Sequence, residues 1–235
     1  MPVWKREEVQ EVLRRFVSVV RSLMTWECHS ARRWFKGTQD KSGCQSMTGW
    51  KPIPLILSTL LCSWLGMQAV HELGHVLGAW ITGGRVARVV LHPLTISRTD
   101  VVENSHPLIV VWAGPCCGVL LPLLVWGCVT KLKPNIAFLP RFFAGFCLIA
   151  NGLYIGIGSF DRVGDCGEML QHGSPAWLLW GFGLLTVPVG FWLWHGQGRH
   201  FGWGSTREVV SWTAVVTSVF ACLVFLALGL AVGGR

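Results

Sequence analysis

Five long apolar runs constrain this chain more than any other feature of its sequence. They cover about Ile53–Ile81, Pro107–Thr130, Phe142–Gly158, Ala176–Trp194 and Val209–Gly233. At 1.5 Å rise per residue, each is long enough to cross a hydrocarbon core about 30 Å thick, the third near the short limit. A bilayer interior accepts only helices or closed barrels, because every backbone polar group must find its partner internally. None of the runs alternates with period two as barrel strands do. The expected fold is therefore an all-α, multi-pass integral membrane protein with about five transmembrane helices. Charge usage agrees: 14% of residues are charged, against about a quarter in soluble chains.

The formal charge is +8, and ten of the twenty Lys and Arg lie at or before Lys51. Beside apolar spans, such a flank reads as a cytosolic segment near anionic lipid rather than a nucleic-acid surface. The bilayer is the expected partner, with no nucleic acid. Within this flank, residues 3–25 read as an amphipathic helix. Val9, Leu13, Phe16, Val20 and Leu23 share one face, while Arg14, Arg15 and Arg21 occupy others. Such a helix lies on the membrane surface or packs as a cytosolic helix. Residues 26–51 read as a polar, basic loop. A simple signal peptide is not expected, since the first apolar run begins only after Trp50. The nine Cys are odd in number, lack a C-x-x-C pair and fall mostly in apolar runs. They suggest neither a disulfide framework nor a cysteine zinc knuckle. Between the first two runs, Gly83-Gly84 followed by Arg85-Val86-Ala87-Arg88-Val89-Val90 predicts a short strand or hairpin beside the membrane.

The first run ends in Val70-His71-Glu72-Leu73-Gly74-His75-Val76-Leu77, an H-E-x-x-H pattern. On a helix, positions i and i+4 face the same way, so both imidazoles can hold one Zn²⁺. Glu72 is then placed to take a proton from a water on that ion. Ionisable groups in an apolar helix are costly and point to function. A polar cluster that merely ties helices together is the bland alternative. A catalytic zinc takes three protein ligands and keeps one open position. The third is expected from Ser159-Phe160-Asp161-Arg162-Val163-Gly164-Asp165-Cys166-Gly167-Glu168. Asp165 has the strongest case, because the flanking Gly164 and Gly167 allow the backbone to turn and approach closely. Asp161 and Glu168 are the alternatives. His92, His106, His172, His195 and His200 lie in or near loops and mostly read as surface residues, with His106 and His172, which border spans, as weaker candidates for a place near the site.

The segment Ala69–Trp80, followed by Thr82-Gly83-Gly84-Arg85-Val86, resembles the site-2-protease family of intramembrane zinc metalloproteases. Trp112-Ala113-Gly114-Pro115 is similar to the family's small-residue A-G-P element, which packs against the zinc helix. The family's third ligand is an Asp in an N-x-x-P…D-G motif. Here Asn151 and Gly164-Asp165-Cys166-Gly167 match it loosely: no proline lies between Asn151 and Asp165, and Cys166 interrupts the Asp-Gly pair. The resemblance covers roughly residues 53–170. It implies a three-helix metalloprotease core there; outside it lie a basic N-terminal segment, 1–52, and two further transmembrane helices, 171–235. The loops are too short for an inserted PDZ or CBS domain, so the chain reads as a minimal, divergent member.

The resemblance further implies hydrolysis of peptide bonds in a membrane-anchored protein, with His71, His75 and Asp165 on zinc and Glu72 as general base. It also implies zinc near the cytosolic face, whereas the basic flank predicts the opposite orientation. Two other readings carry different chemistry. One is a different membrane zinc protease with Glu168 as third ligand. The other is a zinc-binding membrane assembly protein without turnover.

Overall fold

The computed structural model describes residues 50–91, 97–102, 104–204 and 207–233. The amphipathic helix expected over residues 3–25 and the loop at 26–49 lie outside the described residues. The elements run α1 (Pro52–Ile81), β1 (Val86–Val90), β2 (Arg98–Val101), α2 (Pro107–Leu132), a 3₁₀ turn (Pro134–Ile136), α3 (Phe138–Asp161), α4 (Asp165–Gln171), α5 (Ala176–Trp194), a second 3₁₀ turn (Gln197–Phe201) and α6 (Trp212–Gly233). Helices α1, α2, α3, α5 and α6 are long and apolar enough to cross a membrane. The protein is a multi-pass membrane protein of mainly helical build, as its hydropathy predicts.

These helices are mostly apolar, and α1 turns inward both its polar residues, Gln68, His71, Glu72 and His75 among them, and its small ones. Helix α1 buries Ser58, Thr59, Ser63, Gly66, Gly74 and Gly78. It exposes Leu57, Leu61, Leu73, Leu77 and Trp80. Lipid tails solvate leucine as well as another helix does, so membrane helices associate where small residues let backbones approach. Gly74 and Gly78 lie against Ala113, Gly114 and Val110 of α2, and a Cβ at Gly74 would strike the Ala113 carbonyl. Helices α3 and α5 pack the same way, with Gly152 and Gly156 against Thr186 and Gly183. A polar clip joins α1 to α6: Ser218 Oγ lies 2.8 Å from Ser58 Oγ and 2.9 Å from Thr59 Oγ1.

Helix ends follow local chemistry. Prolines open α1 and α2 in the first turn, where a missing N–H costs nothing. The end of α1 is a Schellman motif. Gly84 N–H donates to Ala79 O (2.8 Å), Gly83 N–H donates to Trp80 O (3.1 Å), and Gly83 adopts φ +73°. The glycine pair read as a turn is thus the stop signal that launches β1. Strands β1 and β2 form the expected hairpin, antiparallel, with Val89 opposite Thr99 and Val90 opposite Arg98.

Two elements depart from the sequence reading. The third span is longer than the apolar run, because α3 extends to Phe138 and takes in Arg141. That side chain reaches the His195 carbonyl at 3.4 Å, so the charge sits at the helix end instead of terminating the helix. The segment after α3 contains the short helix α4, which no periodicity announced.

A candidate metal centre between α1, α3 and α4

His71 and His75 occupy adjacent turns of α1, both 7% exposed. Their Nε2 atoms lie 3.1 Å apart. Asp165, the first residue of α4, brings its Oδ2 to 2.8 Å from His71 Nε2 and 3.3 Å from His75 Nε2. Two elements distant in sequence therefore converge on one point.

The outer hydrogen bonds fix the protonation of both rings. Asn151 Nδ2 donates to the Cys147 carbonyl at 2.9 Å, which leaves Asn151 Oδ1 as the acceptor facing His71 Nδ1 at 2.8 Å. His71 therefore carries a proton on Nδ1. His75 Nδ1 lies 2.9 Å from the Val110 carbonyl, which can only accept, so it too is a donor there. Unless a ring is fully protonated, both Nε2 atoms present lone pairs to each other and to a carboxylate oxygen. Three acceptors so close together demand a positive charge among them, a proton or a metal ion. A tetrahedral zinc with bonds of about 2.0–2.1 Å would separate its ligands by roughly 3.3 Å. The observed 2.8, 3.1 and 3.3 Å are at or just inside that spacing. Two imidazoles oriented by outer partners and one carboxylate form a donor set of catalytic-zinc type. The residues fit the ion.

Backbone geometry delivers Asp165. Helix α3 ends at Arg162 in the left-handed region (φ 53°), and Gly164 follows with φ 59° and ψ −139°, a conformation reserved for glycine. Gly167 passes so close to the Arg162 carbonyl that a Cβ would collide with it. Burial opposes charge on the Asp165 carboxyl, but His75 and His71 outweigh it and hold the group well below the usual carboxylate range. Glu168, one turn further on, is exposed. Burial of part of its surface and the charge of Asp165 push its pKa up. Among the described residues, the metal-capable group consists of His71, His75 and Asp165. Neither Asp161 nor Glu168 joins it.

Glu72 stands beside this group without entering it. Its side chain is 3% exposed, and its Oε2 accepts a 2.7 Å hydrogen bond from Thr99 Oγ1 on β2. The hairpin is thus docked on the H-E-x-x-H turn. Gly114 of α2 closes the opposite side, where a Cβ would strike the His75 ring. Gly118, one turn on, gives the same clearance to Asn151. His106, His172, His195 and His200 lie away from the group, and His92 lies outside the described residues. The sequence reading named Asn151 without a role, and it passed over Thr99 and Tyr154. The available signals were a buried amide in an apolar span and a single tyrosine in a chain with fourteen tryptophans.

Fold and site together define a polytopic membrane protein whose H-E-x-x-H helix and α4 bring together a His₂Asp metal-capable group. Residues 63–155 match the family model described as Peptidase M50B-like. This match supports membership of the site-2-protease family of membrane metalloproteases. It spans His71, Glu72, His75, Gly114 and Asn151, and ends before Asp165. Neither a curated protein nor a solved structure matches the chain.

Proposed function

We propose that the chain is an intramembrane zinc metalloendopeptidase that hydrolyses peptide bonds of membrane-anchored proteins. The observation that carries the reading is the convergence of His71 Nε2, His75 Nε2 and Asp165 Oδ2, beside a buried Glu72 that is not part of the group. His71, His75 and Asp165 would hold the ion. A zinc ion held there would supply an acidified water and a Lewis acid for the scissile carbonyl.

The chain's own residues do the rest. Thr99 anchors Glu72 through Oε2, and the Glu72 carboxylate is the group that takes the proton of the attacking water and returns it to the leaving amine. Asn151 and the Val110 carbonyl hold the two rings in their ligating tautomer. A helical amide is shielded by its own hydrogen bonding, so the substrate segment must unwind to react. The β1–β2 hairpin lies beside Glu72 and offers edge-strand hydrogen bonds to such an extended segment.

Metal content and cleavage test this together. In protein purified with zinc, His71→Ala and His75→Ala should each lose most of the metal. Glu72→Gln should keep it and abolish cleavage of a single-span substrate co-reconstituted in liposomes. Stoichiometric zinc in the double histidine variant would refute the site. Zinc binding with cleavage unaffected by Glu72→Gln would refute the role of Glu72. Zinc binding without proteolysis by the unaltered protein would favour a non-catalytic assembly protein.

A further inference from the structure

Resting on the zinc reading above, we propose that Tyr154 is a positioning residue for the third ligand, tying Asp165 to the face of α3 that looks onto His71. Tyr154 stands three residues after Asn151, so the two share one face of α3. It occupies the place of the proline in the N-x-x-P motif. Its hydroxyl oxygen accepts the Asp165 backbone N–H at 3.2 Å. Its ring meets the His71 imidazole edge-on, with centroids 5.9 Å apart. The next residue reinforces the link: Cys166 Sγ donates to the Tyr154 carbonyl at 3.2 Å. One side chain thus touches a histidine of the group, through its ring, and the aspartate, through its hydroxyl.

The chemistry selects tyrosine specifically. This chain meets its other aromatic needs with fourteen Trp and twelve Phe and uses tyrosine once. Phenylalanine would supply the same ring against His71. Only the hydroxyl adds an acceptor for the Asp165 N–H, one of the unpaired donors of the α4 start. Asp165 is otherwise delivered by a turn of three residues between α3 and α4, in which Arg162 and Gly164 both have positive φ. A carboxylate on so short and contorted a turn gains orientation from an anchor on the rigid helix. Outer partners that orient metal ligands typically change metal affinity by about ten- to a hundredfold when removed.

Tyr154→Phe keeps the ring and deletes the acceptor. In detergent-purified protein titrated with zinc against a competing chelator, it should lower zinc affinity about tenfold or more. The cobalt-substituted protein should show altered visible bands, because the carboxylate no longer sits in register with the imidazoles. His71→Ala, measured alongside, should remove zinc altogether. Unchanged zinc affinity and an unchanged cobalt spectrum in Tyr154→Phe would overturn the proposal, whatever happens to the unfolding temperature. If His71→Ala retained zinc, the metal site itself would be wrong. If His71→Ala lost zinc while Tyr154→Phe bound it normally, only the role of Tyr154 would fall.

Discussion

At the scale of single residues, His71, Glu72 and His75 are legible in the sequence because their relation is local. A helix turns four residues into one face whatever surrounds it. Asp165 is legible only in part, because its position depends on a left-handed Arg162 and on Gly164 in a glycine-only conformation. Two glycines announce a turn but not its direction. Asn151, Tyr154 and Thr99 act across 80, 11 and 27 residues of chain, and no spacing rule reaches them. The choice among Asp161, Asp165 and Glu168 now has a geometric basis. Asp165→Asn keeps shape and removes charge, and it should weaken zinc retention strongly. Glu168→Gln should leave metal content near that of the unaltered protein, since its exposed side chain lies outside the ligand group. Metal analysis after dialysis against a weak chelator compares them. The reverse order would make Glu168 the ligand.

At the scale of elements, the apolar runs foretold the spans because the bilayer imposes length and hydropathy directly. Their packing faces were less visible. In helices that are mostly apolar, the contact face is marked by scattered small and polar residues, such as Gly74, Gly78 and Ser58 of α1, rather than by a continuous amphipathic stripe. Helix α4 escaped notice because seven residues are too few to establish a period. The hairpin was visible as a glycine turn followed by β-branched residues. Its contact with Glu72 was not. That contact makes β2 part of the proposed catalytic geometry. Thr99→Val removes the donor while preserving shape. Without that anchor the proposed base is free to leave its position, and positioned general-base catalysis contributes typically about 10²–10⁴-fold, so kcat should fall at least about tenfold. KM and zinc content should stay near their original values. Thr99→Ser should recover most of the turnover. Loss of zinc in Thr99→Val would show instead that the hairpin supports the ligands rather than the base.

At the scale of the whole molecule, the distribution of basic residues predicts which face of the membrane carries the proposed active site. The short connections make the five spanning helices run alternately up and down. Lys131, Lys133, Arg141, Arg199 and Arg207 therefore lie at the end where α1 starts, and Arg85, Arg88, Arg98 and Arg162 at the end where the hairpin and α4 cluster. Counting the ten basic residues at or before Lys51 with the first set and Arg235 with the second, the division is fifteen against five. Without those ten it is an even five against five. The basic flank thus decides the orientation by the positive-inside rule. It predicts a cytosolic start for α1 and a non-cytosolic hairpin, inverted from what the family resemblance implies. Two single-cysteine reporters test this in a background lacking the native cysteines. Lys133→Cys marks the α1-start end and Arg88→Cys the hairpin end. A membrane-impermeant maleimide applied to intact cells should label the Arg88→Cys protein and spare the Lys133→Cys protein until the membrane is permeabilised. The opposite pattern would put the metal centre near the cytosol, and the ten basic residues would then have been overruled by the transmembrane core.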